Sequence, residues 1–194
     1  MTKKTWVTAL TLAVFAVTAR ADKMRVDISA INTEHKLLDV KAEGAHVSAA
    51  TWIQDNPEQH YLIEKNLTGE WQELTISFTA EKSGKYAIRL IGELKKDKTT
   101  KEVIPVDVLY DGMTATGVPL INGGFEDVDE SRSAPKGWWG NSDWTAERYI
   151  TDEAVAREGS RCIKVWHNAH MAQQFYVPKD GKNVSITLWF RAAP

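Results

Sequence analysis

The strongest pattern in this chain is a period-two alternation of apolar and polar residues. Every second side chain is apolar in residues 73–79, and in residues 85–90 Tyr86, Ile88 and Leu90 alternate with Lys85, Ala87 and Arg89. Alternation of this kind buries one face of a strand and leaves the other in solvent. The turn-forming residues 81–84 separate the two segments. We therefore expect a hairpin with one apolar face.

Shorter alternating segments occur along the rest of the chain. They predict further strands at residues 24–30, 35–42, 46–54, 106–110, 121–125, 145–150, 160–166, 173–177 and 183–191. Gly, Pro, Asn and charged residues separate these segments, as in the turn Asp55–Glu58 and the charged loop Lys95–Lys101. No stretch of more than about ten residues has helical periodicity. Many short strands with such breaks predict an all-β fold, an antiparallel β-sandwich.

The N-terminal segment has the three parts of a secretory signal in order. Lys3 and Lys4 precede an apolar run from Trp6 to Val17, and Ala19-Arg20-Ala21 follows as a small-x-small cleavage site. The run is too short to cross a bilayer, and no later stretch is long enough to do so. Residues 1–21 are thus predicted to be a signal peptide of bacterial type, cleaved near Ala21, and the protein is predicted to be secreted or periplasmic.

Charge and cysteine content exclude several classes of function. The formal net charge is -2, which offers no footprint for nucleic acid or anionic membrane. Cys162 is the single cysteine, so no intrachain disulfide forms. It is predicted to be a packed, inert residue, with a reactive thiol as the alternative. The absence of a Cys/His cluster argues against a structural zinc site.

Several short motifs carry a resemblance to a known family. In the C-terminal part they are Asn122–Glu126, Pro135–Trp138, Gly159–Val165, Gln173–Val177 and Ser185–Ala192. In the N-terminal part they are Trp71–Thr79, Gly84, Tyr86–Ile91 and Leu109–Gly117. These motifs resemble those of the jelly-roll carbohydrate-binding modules related to galactose-binding domains. In that family Asn-Gly-x-Phe-Glu opens the domain and a Tyr-Asp strand closes it, whereas here the closing motif comes first.

Two architectures account for the inverted order. In the first, residues 22–194 form a single, circularly permuted β-sandwich, because the ends of a domain often lie close together. In the second, residues 22–117 form one β module and residues 122–194 begin a second, truncated one. That truncated module would expose an apolar sheet edge. The first architecture is the prediction, and it requires the two segments to dock on each other.

Aromatic and imidazole side chains are the candidate carbohydrate ligands. Sugar rings stack on exposed indoles, while amides, carboxylates and imidazoles bind their hydroxyls. Eight tryptophans are present, seven of them after the signal segment. The predicted binding residues lie in the loop 137–144, around residue 166 and on the outward face of the last strand: Trp139, Trp144, Trp166, His167, His170 and Trp189. Alternation predicts that Trp166 and Trp189 point away from the core, unless a loop covers them. The resemblance implies that Trp138 packs inside.

The resemblance also implies a structural calcium ion. Asp111 and Glu126 match positions that help to hold this ion in many members of the family, and carboxylate oxygens suit it. The family has a second aspartate where this chain has Gly112. One expected ligand is therefore missing.

The sequence predicts a binding protein rather than an enzyme. No Gly-x-Ser-x-Gly motif or phosphate-binding loop is present, and the sequence places no pair of carboxylates for glycoside hydrolysis. The predicted function is that of a secreted, non-catalytic carbohydrate-binding module with a glycan ligand. The alternative is a structural or adhesive β-sandwich that contacts another protein or the cell surface.

Overall fold

The fold is known from a computed structural model, which describes residues 21–32, 34–50 and 57–194. Strands make up most of these residues, and the helical turns there are short 3-10 turns at Pro57–Gln59 and Ala146–Arg148. The strands are β1 (Lys23–Ala30), β2 (Leu37–Ala42), β3 (His46–Ala49), β4 (His60–Asn66), β5 (Gln72–Ala80), β6 (Gly84–Gly92), β7 (Leu94–Lys96), β8 (Val103–Pro105), β9 (Val108–Thr116), β10 (Val128–Asp129), β11 (Ala134–Pro135), β12 (Trp139–Gly140), β13 (Tyr149–Thr151), β14 (Arg161–Val165), β15 (Met171–Val177) and β16 (Lys182–Ala192).

Two six-stranded antiparallel sheets pack face to face. Sheet A has the strand order β12-β15-β6-β1-β4-β3, and sheet B has the order β13-β14-β9-β16-β5-β2. Two small ribbons, β7-β8 and β10-β11, lie outside these sheets. The predicted all-β antiparallel sandwich is confirmed.

The core lies between the sheets and is built from the alternating apolar positions. In β5 and β6 the residues from Leu74 to Phe78 and from Tyr86 to Leu90 bury every second side chain. An aromatic cluster forms where the sheets meet. The ring centroid of Tyr86 lies 6.2 Å from that of Phe78 and 6.3 Å from that of Phe175. Burial of each large apolar side chain stabilises such a fold by about 1.5–3 kcal/mol.

The hairpin predicted for β5 and β6 is wrong. β5 pairs with β16 and β2 in sheet B, whereas β6 pairs with β1 and β15 in sheet A. The turn at residues 81–83 therefore carries the chain from one sheet to the other. Alternation determines which face of a strand is buried, but both arrangements satisfy that requirement equally well.

The strand predicted at residues 121–125 is also wrong. This segment is a turn, because Asn122 and Phe125 have φ values of 51° and 59°, which no extended strand can accommodate. The Asn122 side chain closes the turn by donating to the carbonyl oxygens of Asp127 and Lys136 and by accepting from the Asp127 N–H. The strand predicted at residues 145–150 begins later, after a 3-10 turn, as β13.

Strands from both parts of the chain interleave in each sheet. In sheet A, β15 from the C-terminal part pairs with β6 from the N-terminal part, and in sheet B, β16 lies between β9 and β5. The closing and opening motifs touch, since the Met113 N–H donates to the Gly123 carbonyl over 2.9 Å. A Cβ on Gly123 would lie 1.9 Å from the Met113 carbonyl oxygen, so this approach requires glycine.

Candidate functional site

A row of side chains crosses the outer face of sheet A. Backbone register pairs Trp139 with Ala172, Ala172 with Arg89, Arg89 with Asp27, and Asp27 with Leu62. Residues directly opposite each other in antiparallel strands project to the same side of a sheet. All five side chains therefore lie on one face, and we call this set the cross-strand row.

Asp27 is the unusual member of the row. It lies on the outer face and yet is only 2% exposed. Its Oδ2 atom lies 3.2 Å from Nε2 of His60, which is buried as well, and 3.5 Å from Nη1 of Arg89. Its Oδ1 atom has no hydrogen-bond partner among the described residues. A buried carboxylate is costly without partners, so Oδ1 is an unsatisfied acceptor beside the pocket described next.

A pocket of about 370 Å³ opens beside Asp27. Its floor comes from strands β1, β4 and β6, which supply Arg25, Asp27, Leu62, Arg89 and Ile91. His167 and His170 form one wall from the loop between β14 and β15. The pocket thus combines two apolar side chains with convergent donors and acceptors, a composition typical of small-molecule sites.

The positive charges of the pocket are already compensated. The Nε atom of Arg25 lies 2.7 Å from Glu64, and its Nη2 atom lies 3.8 Å from Glu93. Burial raises the pKa of Glu64, but hydrogen bonds from Lys23 and Arg25 outweigh burial and hold this pKa below its usual value. Arg89 faces Asp27, as described above. The site therefore presents charged hydrogen-bonding groups with little net charge.

The pKa values of both histidines of the wall are lowered, which favours their neutral form. Burial lowers the pKa of His167, and the nearby Arg25 lowers it further. Burial likewise lowers the pKa of His170, with a further contribution from Arg89. A neutral imidazole has one donor and one acceptor nitrogen. Each ring is therefore suited to a hydroxyl group, which also donates and accepts.

The histidine loop is held in place at both ends. The Trp166 N–H donates to the Ala169 carbonyl over 3.2 Å, which closes a tight turn. The side-chain amide of Asn141 donates to the Asn168 carbonyl. A Cβ on Gly92 would lie 2.1 Å from the Val106 carbonyl oxygen and 3.0 Å from the Trp166 Cα, so glycine there lets both segments approach sheet A. The pocket wall is therefore attached to β6 and to the segment that follows β12.

The sequence-predicted binding residues divide between the two sides of the sandwich. Trp139, His167 and His170 all lie on the side of the outer face of sheet A, the two histidines at the pocket and Trp139 at the edge of the sheet. Trp189 lies on β16 in sheet B, where the Arg157 guanidinium stacks 3.8 Å from its ring centroid. Trp189 therefore lies away from the pocket and is covered by a loop residue.

Trp138, Trp144 and Trp166 pack within the fold rather than in the pocket. Trp138 is fully buried, and its indole N–H donates to the carbonyl oxygens of Ile121 and Asn122 at 3.1 Å each. Trp144 packs on the core and against Gly140, and its buried indole nitrogen has no hydrogen-bond partner within the described segments. Trp166 is half-buried at the base of the histidine loop. Neither Trp144 nor Trp166 lines the pocket.

The two carboxylates predicted to hold calcium are engaged by N–H groups. Glu126 accepts from the backbone N–H groups of Ser160 and Arg161 at 2.9 Å each. Asp111 is buried and accepts from Gly112, and from Arg157 and Glu158 in the loop before β14. Among the described residues, no cluster of three or more His, Cys, Asp or Glu has a metal-binding arrangement. The N–H groups occupy carboxylate oxygens that a cation would need as ligands. This geometry therefore does not fit the predicted ion. Calcium at these residues stays a prediction.

Three charged residues of the site were not predicted from the sequence: Arg25, Asp27 and Arg89. Their alternation with apolar residues places them on the outward face of β1 and β6, and that part of the pattern is correct. The pattern carries no sign that Asp27 is buried there. A charged residue amid apolar neighbours on an outward face is the only available signal, and it is shared by many solvated sheet faces.

Comparisons with known proteins do not identify this chain. No protein-family model, no curated protein and no solved structure matches it. In the part of the chain that the structure describes, no helix is long and apolar enough to cross a membrane. The site must therefore be interpreted from its own chemistry.

Proposed function

We propose that this protein is a secreted, non-catalytic carbohydrate-binding β-sandwich that binds its glycan on the outer face of sheet A. The observation that carries this proposal is the cross-strand row, which joins the exposed indole of Trp139 to the polar pocket around Asp27. An apolar platform next to convergent hydrogen-bonding groups matches the two kinds of surface that a sugar presents.

The charge balance of the pocket favours a neutral ligand. Arg25 is paired with Glu64, and Arg89 faces Asp27, so an anionic ligand would gain little from the two guanidinium groups. Asp27 accepts hydrogen bonds, the arginines donate them, and the neutral histidines do both. Hydroxyl groups can satisfy all three kinds of partner.

Direct binding measurements with matched variants test the proposal. Glycan-array screening of the purified chain, followed by calorimetry on the hits, is expected to find neutral glycans. Arg89→Gln removes a charged hydrogen-bond donor and is expected to weaken binding at least about tenfold. Trp189→Ala, on the opposite sheet, is the control and is expected to leave binding unchanged.

The outcomes separate this function from its alternative. If the array shows no binding while thermal unfolding shows an intact fold, the carbohydrate proposal is wrong. The adhesive or structural β-sandwich, with a protein or cell-surface partner, then takes its place. If Trp189→Ala weakens binding and Arg89→Gln does not, the ligand lies on sheet B and the assigned face is wrong.

A further inference from the structure

We propose, resting on the function proposed above, that the ligand is a linear oligosaccharide that lies across the strands of sheet A, from Trp139 at the edge to Asp27 in the pocket. Trp139 and Asp27 are more than a hundred residues apart in the sequence. The register of three strand pairs places them in a single row.

The length of the row exceeds one sugar ring. Neighbouring strands lie about 4.7–4.9 Å apart, and three such steps separate β12 from β1, so the row is about 14 Å long from Trp139 to Asp27. A single pyranose ring is similar in size to the ring of a phenylalanine side chain. One ring therefore cannot contact the indole and the buried carboxylate together, whereas a short linear chain can.

In the proposed binding mode the ligand crosses Ala172, which lies between the two ends of the row. It pairs with Trp139 on one side and Arg89 on the other, and its side chain is the smallest in the row. Ala172 is 8% exposed, and its methyl group extends less far from the sheet than the side chains of Trp139 and Arg89. A sugar unit can therefore lie over Ala172 while a second unit stacks on Trp139, which is 39% exposed at the edge of the sheet.

The pocket end supplies the polar contacts. Oδ1 of Asp27 has no hydrogen-bond partner in the described part of the chain, and the neutral His170 faces the same space. A terminal sugar with its hydroxyls directed to Asp27 would occupy the pocket, and the chain would leave over Ala172. The pocket thus determines which sugar binds, and Trp139 determines how strongly longer chains bind.

A chain-length series with a steric block tests this arrangement. The probes are gluco-, galacto- and manno-oligosaccharides of one to four units, measured by calorimetry on the full chain. For the sugar that binds, affinity is expected to rise at least about tenfold from the monosaccharide to the trisaccharide. Ala172→Leu blocks the surface between Trp139 and Arg89 and Trp139→Ala removes the platform, so each is expected to reduce the ratio of trisaccharide to monosaccharide affinity to near one.

Ala87, at the next outward-facing position along β6, provides a matched control for Ala172. Ala87 is on β6, on the same outer face, but its register partners are Ser29 and Gln174 rather than residues of the cross-strand row. Ala87→Leu adds the same bulk and is expected to preserve the length dependence. Equal affinity for monosaccharide and trisaccharide in the wild-type chain would overturn this inference while leaving carbohydrate binding in place. Failure of every probe and of the glycan array would overturn both.

Discussion

Gln173 binds both backbone polar groups of Ile121. Its Oε1 atom accepts the Ile121 N–H over 3.0 Å, and its Nε2 atom donates to the Ile121 carbonyl over 2.8 Å. The same Nε2 donates to the Gly137 carbonyl over 3.2 Å. Gln173 is 1% exposed, and Ile121 itself belongs to the turn that replaces the predicted strand. A side chain in sheet A thus supplies the pairing that a neighbouring strand would otherwise provide.

Gln173→Leu is expected to lower the free energy of unfolding by about 2–3 kcal/mol, because three part-buried hydrogen bonds to the backbone of Ile121 and Gly137 are lost. Urea unfolding followed by tryptophan fluorescence measures the change. Gln174→Leu, at the adjacent exposed position, is the control and is expected to change stability by less than about 0.5 kcal/mol. Equal effects of the two substitutions would show that the amide does not support the turn.

Tyr110 joins the two sheets beneath the pocket. Its hydroxyl lies 2.9 Å from the Arg25 carbonyl and 2.8 Å from the Ile91 carbonyl, and both of these residues line the pocket. Burial raises the pKa of Tyr110, so the hydroxyl remains a donor at all ordinary pH values. Tyr110→Phe is expected to cost about 1–2 kcal/mol of stability. Tyr176→Phe, which removes an exposed hydroxyl, serves as the comparison, and an equal loss there would contradict the proposed role.

The Glu126 carboxylate holds the start of β14 by accepting hydrogen bonds from the backbone N–H groups of Ser160 and Arg161. Burial raises the pKa of Glu126, but hydrogen bonds from Ser160 and Arg161 outweigh this effect and lower it. Glu126→Gln places an amide nitrogen against these donors and is expected to cost about 1–3 kcal/mol. Thermal unfolding measures the loss, with the exposed neighbour substitution Asp127→Asn as the control. A neutral result for Glu126→Gln would show that the loop is held by other contacts.

Chelation tests whether Glu126 and Asp111 nevertheless hold calcium. An ion that binds only the folded state stabilises it, so its removal would lower the melting temperature. Because N–H groups engage the oxygens of both carboxylates, we expect no change when a chelator is added. A fall in melting temperature that calcium reverses, and that Glu126→Gln abolishes, would establish the ion instead.

Acidification is expected to destabilise the protein through the two histidines of the pocket wall. The folded-state pKa values of His167 and His170 lie below the unperturbed value of 6.5. Between the lowered and the usual values the unfolded chain binds more protons, so stability rises with pH and is lost as the pH falls below about 6.5. Urea midpoints at pH 5 and pH 7.5 measure the effect. His170→Gln is expected to reduce the difference between the two midpoints, and an undiminished difference would assign it to other groups.

The candidate site shows how far sequence reasoning reached. Trp139, His167 and His170 were predicted as ligand contacts, and the structure places all three on one face of sheet A. Trp189 was predicted on the same grounds of outward phase, but it lies on the opposite sheet under Arg157. Alternation within one strand shows which side chains point away from the core. Whether two such side chains share a surface depends on which sheet each strand joins.

The sequence by itself determined the β-sandwich class and the face that each long strand buries, because the period of two in residues such as Leu74, Ile76 and Phe78 acts locally. The tertiary structure alone decided which strands pair, that β5 and β6 part at their turn, and that Ile121 is held by Gln173. It also decided that Asp27 is buried on an outer face and shares a row with Trp139. These features depend on cross-strand register and on contacts between distant segments, and alternation along one strand leaves both undetermined.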